Sequence, residues 1–237
     1  MIPLRDENPS GRTPHLTRLI ILINALVFVY ELSLGPALQE FALAFGIVPA
    51  HVSNALAGRG NLVTDALVPL FTSMFLHGGW LHLISNMWYL WIFGDNIEDQ
   101  FGHLGFVLFY LGAGLASGLL HFAMQTGSPI PTVGASGAIA GVLGAYVVLF
   151  PRARVITLVP LFVFIQLMAL PAVVVLGLWF VTQFFNGALS LLYTSDSGGG
   201  VAWWGHIGGF AFGVLVALVA RGRVRAAARR SSFELRP

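Results

Sequence analysis

Residues 132–141 read TVGASGAIAG. Ser136 is a hydroxyl set among Gly134, Ala135, Gly137 and Gly141, at the head of a run that carries no formal charge until Arg152. Small residues at this spacing let helix backbones approach closely in a bilayer, and a serine among them serves equally well as one more small packing residue. Packing and chemistry are therefore both open at Ser136, and the choice depends on what else the chain brings beside it.

Composition fixes the medium. Of 237 residues, 57% are hydrophobic and 9% charged, and the mean hydropathy is +0.81, values of a polytopic membrane protein rather than a soluble domain. All 12 basic residues are arginine, and a net charge of +2 supplies no basic surface for nucleic acid; their placement reports orientation instead. With no cysteine in the chain, disulfides, thiolate nucleophiles and cysteine-ligated metals are excluded. Arg12 and Arg18 ahead of the apolar run from Leu19 to Tyr30 imitate a signal peptide, but the small residues Ala42 and Ala44 lie beyond Glu31 and Glu40. The run is read as a first membrane span.

A helical span takes about 20 mostly apolar residues. Charge-free windows and turn residues place spans at about 16–34, within 66–94, and at about 103–124, 133–150, 171–192 and 201–220. Residues 35–70 form a long loop with an interfacial helix, FGDNIED ends the second span in an acidic loop at 95–99, and 155–170 is buried connecting chain. Eleven of the 12 arginines, all but Arg59, then fall on one side, which puts both termini in the cytoplasm. The expected fold is all-α, a six-helix polytopic bundle: a cytoplasmic segment 1–15, a membrane domain 16–220 and a basic tail 221–237.

Strongly polar groups inside spans are rare and face the bundle interior, so each is a candidate for function. They are His77, His82 and Asn86 in the second span, His121 in the third, Ser136 in the fourth and His206 in the sixth, with further amides at Asn24 and Asn186. The outer ends of the spans bring Ser136, His206, His82 and Asn86 to similar depth, since each sits within a few turns of the outer face at 1.5 Å per residue. A serine hydroxyl needs a base, and neutral imidazole supplies one without a permanent buried charge. The Ser136 backbone N–H, Asn86 and His82 are then candidate oxyanion donors. No Asp or Glu is expected within the spans, so the arrangement is a dyad, with Asp196 the nearest discounted acid.

GASGAIAG around Ser136, HLISN at 82–86 and GHIGGFAFG at 205–213 together resemble the rhomboid family of intramembrane serine proteases, and FGDNIE with Gly94 and Glu98 fits the same pattern. The resemblance implies Ser136 as nucleophile, His206 as general base and later acid, and His82, Asn86 and the Ser136 backbone as the oxyanion site. It implies transmembrane protein substrates in the lipid bilayer, without metal or cofactor. Arginine without lysine, with abundant alanine and glycine, points instead by composition to a bacterial cell (inner) membrane as the location. Gly205, Gly209 and Gly213 are small-xxx-small steps that let the sixth span approach the fourth.

The chain departs from some relatives in having Ala140 where an aromatic residue stacks on the base, and in lacking a Trp-Arg pair in the first loop. Trp179, Phe180, Phe184 and Phe185 suit a movable gate or plain lipid-facing bulk equally. Within the fold, the alternative is an inactive rhomboid-like protein that binds transmembrane segments. A histidine-relay transporter lacks the internal repeat it would need, and a zinc protease lacks HExxH.

Overall fold

A computed structural model describes residues 1–161, 164–190 and 202–234, with side chains as far as Arg221; Asp196 lies outside the described residues. Four helices among these are long and apolar enough to cross a membrane: α1 (His15–Ser33), α5 (Trp80–Met124), α7 (Ala172–Ser190) and α8 (Trp203–Glu234), the last over Trp203–Arg221. Between α1 and α5 run the shorter α2 (Leu38–Phe45), α3 (Pro49–Leu56) and α4 (Val68–Thr72), and α6 (Ser136–Leu149) follows α5. The chain is mostly helical.

At 45 residues, α5 is too long for one crossing of a hydrocarbon core about 30 Å thick. It breaks at Gly102, whose φ of 71° and ψ of 166° end one helical arm and start the next. Only glycine adopts such a φ at little cost, so one residue makes the turn. The expected acidic loop at 95–99 is therefore helical. Its carboxylates are used: Glu98 accepts hydrogen bonds from the backbone N–H of Leu16 (3.0 Å) and Thr17 (2.7 Å), and from the Thr17 hydroxyl (2.7 Å). These are first-turn N–H groups of α1 that have no partner within their own helix.

The core centres on α6. Every residue from Gly137 to Tyr146 is buried, as expected of a helix apolar on all sides, and α5 and α8 pack against it. Gly141 of α6 faces Ala113 of α5, while Gly209 and Gly213 of α8 lie against the carbonyl oxygens of Gly137 and Gly141. Gly205 instead faces Ser117 of α5, where an added Cβ would come within 2.8 Å of the Ser117 Oγ. Removing side chains at these crossings brings backbones into contact and maximises van der Waals packing where lipid gives no hydrophobic drive.

Four expectations are corrected. The fold is not all-α: β1 (Ile2–Asp6), β2 (Arg154–Leu161) and β3 (Phe164–Pro171) form an antiparallel sheet in the order β1-β2-β3. In the segment 155–170, expected as buried connecting chain, β2 and β3 pair as antiparallel strands, and Phe164, Ile165 and Leu167 are largely exposed. Its uncharged, β-branched composition satisfies strand as well as helix propensity. The second long helix begins at Trp80, inside the expected window, which leaves His77, expected within the span, ahead of it and outside any helix. Finally, acids do occur in the long helices: Glu31 is buried in α1 and accepts the His77 backbone N–H, and Asp95, Glu98 and Asp99 lie in α5.

Candidate active site

Ser136 is the first residue of α6, reached through an extended approach in which Gly134 has a φ of 129° and donates its N–H to the Ser73 carbonyl at 2.8 Å. The serine sits at the helix N-terminus, a few residues nearer the end than a helix starting at Val133 would place it. Its backbone N–H is one of the four that an α-helix leaves without an internal partner. The positive φ at Gly134 also leaves room for a neighbour: a Cβ there would fall 2.7 Å from the Cε1 and Nε2 atoms of His82. His82 therefore stands beside the approach to the serine.

His206 lies in the first turn of α8, buried to 7% exposure. Its Nε2 is 2.8 Å from the Ser136 Oγ. Its Nδ1 is 2.7 Å from the Oε1 of Gln183 on α7. The close seat of α8 on α6 at Gly209 and Gly213 makes the first distance possible. Trp179, one turn before Gln183, places its ring 5.7 Å from that of His206 with the planes tilted by 36°.

Asn86 is buried on α5, one turn after His82, and its Nδ2 has no hydrogen-bond partner among the described residues. An unpaired buried amide donor is costly. His82 carries a second clue. Its Nδ1 accepts the Gly78 N–H at 3.4 Å, which leaves the proton of the neutral ring on Nε2, the atom beside Gly134. Ser136, His206, His82, Asn86 and Gln183 all line one cavity of about 1030 Å³, together with Glu31, His77 and Trp203.

Other polar residues singled out in the sequence have local partners. The Nε2 of His121 pairs with the Thr132 hydroxyl at 2.7 Å, and Asn24 donates to the Ile20 carbonyl of its own helix. His77 lines the cavity, but its buried ring nitrogens have no hydrogen-bond partner among the described residues. Of the four aromatic residues on α7, Trp179 and Phe180 turn inward, Phe180 stacking on Phe210 at 4.4 Å, whereas Phe184 and Phe185 are exposed. Sequence reading missed Gln183. The available signal was a strongly polar side chain in a span, four residues after Trp179 and so on the same helical face. Among the described residues no set of three or more His, Asp or Glu side chains converges as a metal ion would require.

Residues 64–223 match the Rhomboid domain family. The chain is 37% identical to the rhomboid protease GluP of Bacillus subtilis (strain 168) over 142 residues, 59% of this chain and 26% of that protein. It is 32% identical to the mitochondrial presenilin-associated rhomboid-like protein of Mus musculus over 201 residues, 82% of this chain and 46% of the relative. To the mitochondrial RHOMBOID-like protein 6 of Arabidopsis thaliana it is 42% identical over 76 residues, 32% of this chain and 24% of that one. The chain thus matches from about a quarter to just under half the length of these relatives. With its long apolar helices and its family match over most of its length, the chain belongs to the rhomboid family of membrane proteins.

Proposed function

We propose that the protein is an intramembrane serine endopeptidase that cleaves a peptide bond in or near the transmembrane segment of membrane-protein substrates. The observation that carries this reading is the 2.8 Å contact between Ser136 Oγ and His206 Nε2 at a cavity lined by unpaired donors. Ser136 Oγ attacks the scissile carbonyl carbon while His206 takes the hydroxyl proton. The carbonyl oxygen, now an oxyanion, is met by the Ser136 backbone N–H, the Asn86 amide and the His82 Nε2–H. His206 then gives its proton to the departing amine, leaving an ester on Ser136 that water hydrolyses by the same steps in reverse roles. The chemistry calls on no metal or cofactor.

In this reading six segments cross the bilayer: α1, the two arms of α5 on either side of Gly102, α6, α7 and α8. Residues 16–220 make the protease domain, with 1–15 and 221–237 on the cytoplasmic side by the placement of the arginines. The 14 residues of α6 rise only about 21 Å at 1.5 Å per residue, less than the hydrocarbon thickness. The serine at its head therefore sits below the outer surface, within reach of the outer end of a substrate helix. That helix must unwind locally, because its carbonyls are otherwise held in hydrogen bonds, so helix-weakening residues near the outer surface favour cleavage. Arginine placement bears on sidedness and not on compartment; the relatives above come from a bacterium and from mitochondria.

The test is purified protein in liposomes with a model transmembrane substrate, comparing wild type, Ser136→Ala and His206→Ala. Cleavage by the wild type alone, with a fluorophosphonate probe attached at Ser136, is the expected result. Binding of the segment without cleavage by the wild type would favour the inactive, segment-binding reading instead.

A further inference from the structure

We propose that Gln183 on α7 is the positioning residue of the base, holding His206 in the one tautomer able to accept the serine proton, so that catalysis requires α7 seated against α8. This rests on the protease reading above. A neutral imidazole carries one N–H. For Nε2 to take the Ser136 proton it must be bare, so the ring hydrogen must reside on Nδ1. Gln183 Oε1, 2.7 Å from Nδ1, is an acceptor and favours that hydrogen.

The opposite amide orientation would present an N–H to Nδ1 and enforce the wrong tautomer. Here the Nε2 of Gln183 is turned to the Thr182 hydroxyl at 3.4 Å, which leaves the oxygen for His206. The same oxygen also serves the next state. Once His206 is protonated both ring nitrogens donate, and Oε1 accepts from Nδ1 without moving. An amide achieves this with no net charge, whereas a carboxylate in the same place would sit ionised in a low-dielectric interior. Gln183 is itself buried, at 7% exposure.

The placement on α7 accounts for a departure noted in the sequence. Ala140, one turn after Ser136, is fully buried and offers no ring to lie against the base. Both groups that orient His206, the Gln183 amide and the Trp179 ring, come from the same face of α7. The base is thus steered by an element that carries neither nucleophile nor base. Moving α7 away from α8 removes both supports together.

The experiment compares wild type, Gln183→Leu, Gln183→Asn and Gln183→Glu in liposomes, measuring kcat, KM and the pH dependence of kcat/KM, with thermal unfolding as the folding control. His82, the other imidazole nearest Ser136, and Glu31 and His77 elsewhere in the cavity are unchanged throughout. Gln183→Leu is expected to lower kcat by about 10- to 100-fold with little change in KM, the mark of a lost proton-transfer step. Gln183→Asn, one methylene short of Nδ1, falls with it. Gln183→Glu keeps the acceptor, retains activity at alkaline pH, and moves the acidic limb of the profile upward, because a carboxylate beside the ring favours imidazolium.

A purely packing role would leave Gln183→Leu, which fills similar space without an acceptor, close to wild type in kcat. Unchanged kcat in Gln183→Leu, or a Gln183→Glu profile superimposed on wild type, overturns the proposal while wild-type cleavage leaves the protease reading intact. Should Gln183→Leu fail to fold, the Gln183→Glu profile decides alone. A wild type that neither cleaves nor labels at Ser136 would instead sink the reading on which the proposal rests.

Discussion

Gly209 of α8 lies on the carbonyl oxygen of Gly137 in α6, leaving no room for even a methyl group between the two helices. One of these glycines follows Ser136 directly, and the other is three residues beyond His206. This close approach of the two backbones, matched in tightness by Gly213 on Gly141, is therefore next to the serine–histidine contact, where the two side chains lie 2.8 Å apart.

Gly209→Leu is accordingly expected to push α8 away from α6 by more than an ångström. Displacements of that size cost about 100-fold in rate, and the loss will appear in kcat. Substrate cleavage and fluorophosphonate labelling should fall together in protein that still elutes as a folded species. Wild-type activity in a stable Gly209→Leu protein would remove this packing role.

A second expectation concerns Asn86. Its side-chain N–H group has no partner among the described residues, so Asn86→Ala breaks no hydrogen bond donated by that amide. Stability should hold or rise slightly. Loss of one oxyanion donor costs about 100- to 1,000-fold in kcat, with KM nearly constant. A fall confined to KM would place Asn86 in substrate binding and take it out of the oxyanion site.

Glu98 provides a prediction about the fold. Its carboxylate accepts the N–H groups of Leu16 and Thr17 and the Thr17 hydroxyl, and its Oε1 lies 2.6 Å from His103 Nδ1. Glu98→Ala leaves the two N–H groups at the head of α1 without this partner, at about 1–3 kcal/mol each where water does not replace it. Thermal unfolding in detergent should shift down by several degrees. Glu98→Gln, which keeps an acceptor oxygen, should lose less. Equal shifts in the two variants would mean that the acceptor oxygen kept by glutamine contributes nothing and that the charge, which both variants remove, carries the effect.

Much of this architecture was legible in the sequence, for a physical reason. A bilayer penalises polar side chains, so Ser136, His82, Asn86 and His206 stood out as intrusions, and the structure brings all four to one cavity. The glycines at 209 and 213 were visible because backbones can touch only where side chains are missing. What could not be read depends on pairing across long separations. The apolar run 155–170 suits strand and helix alike, and its pairing with residues 2–6 at the far end of the chain decides between them. The acids at 95–99 looked like a loop because partners that hold them lie over 80 residues away: Glu98 accepts from the head of α1, and Asp99 accepts the Gly11 N–H. Gln183 was passed over because its value lies in the Nδ1 of His206, which no local pattern announces.

That N-terminal strand has a titratable anchor outside the membrane-spanning helices. Asp6 accepts hydrogen bonds from the Tyr146 hydroxyl and from Asn96 Nδ2, the latter at 3.0 Å. Burial raises its pKa to about 6; the Tyr146 hydrogen bond opposes the shift and the nearby Asp95 adds to it. The folded protein thus holds a proton on Asp6 where the unfolded chain, at the ordinary carboxyl value of 3.8, has already lost it. For a raised carboxyl pKa the folded state loses stability as pH climbs from about 4 towards about 6, and above that range it carries the whole cost of the buried charge. Asp6→Asn keeps an acceptor for Tyr146 and removes the charge. The variant should therefore unfold later than wild type near pH 7.5, and this advantage should shrink near pH 5, where wild-type Asp6 is mostly protonated. Hydrogen exchange over residues 2–6 should follow the same trend, slowing in the variant at the higher pH. A variant that is less stable than wild type at pH 7.5 would show that ionised Asp6 holds the strand in place and would reverse this assignment.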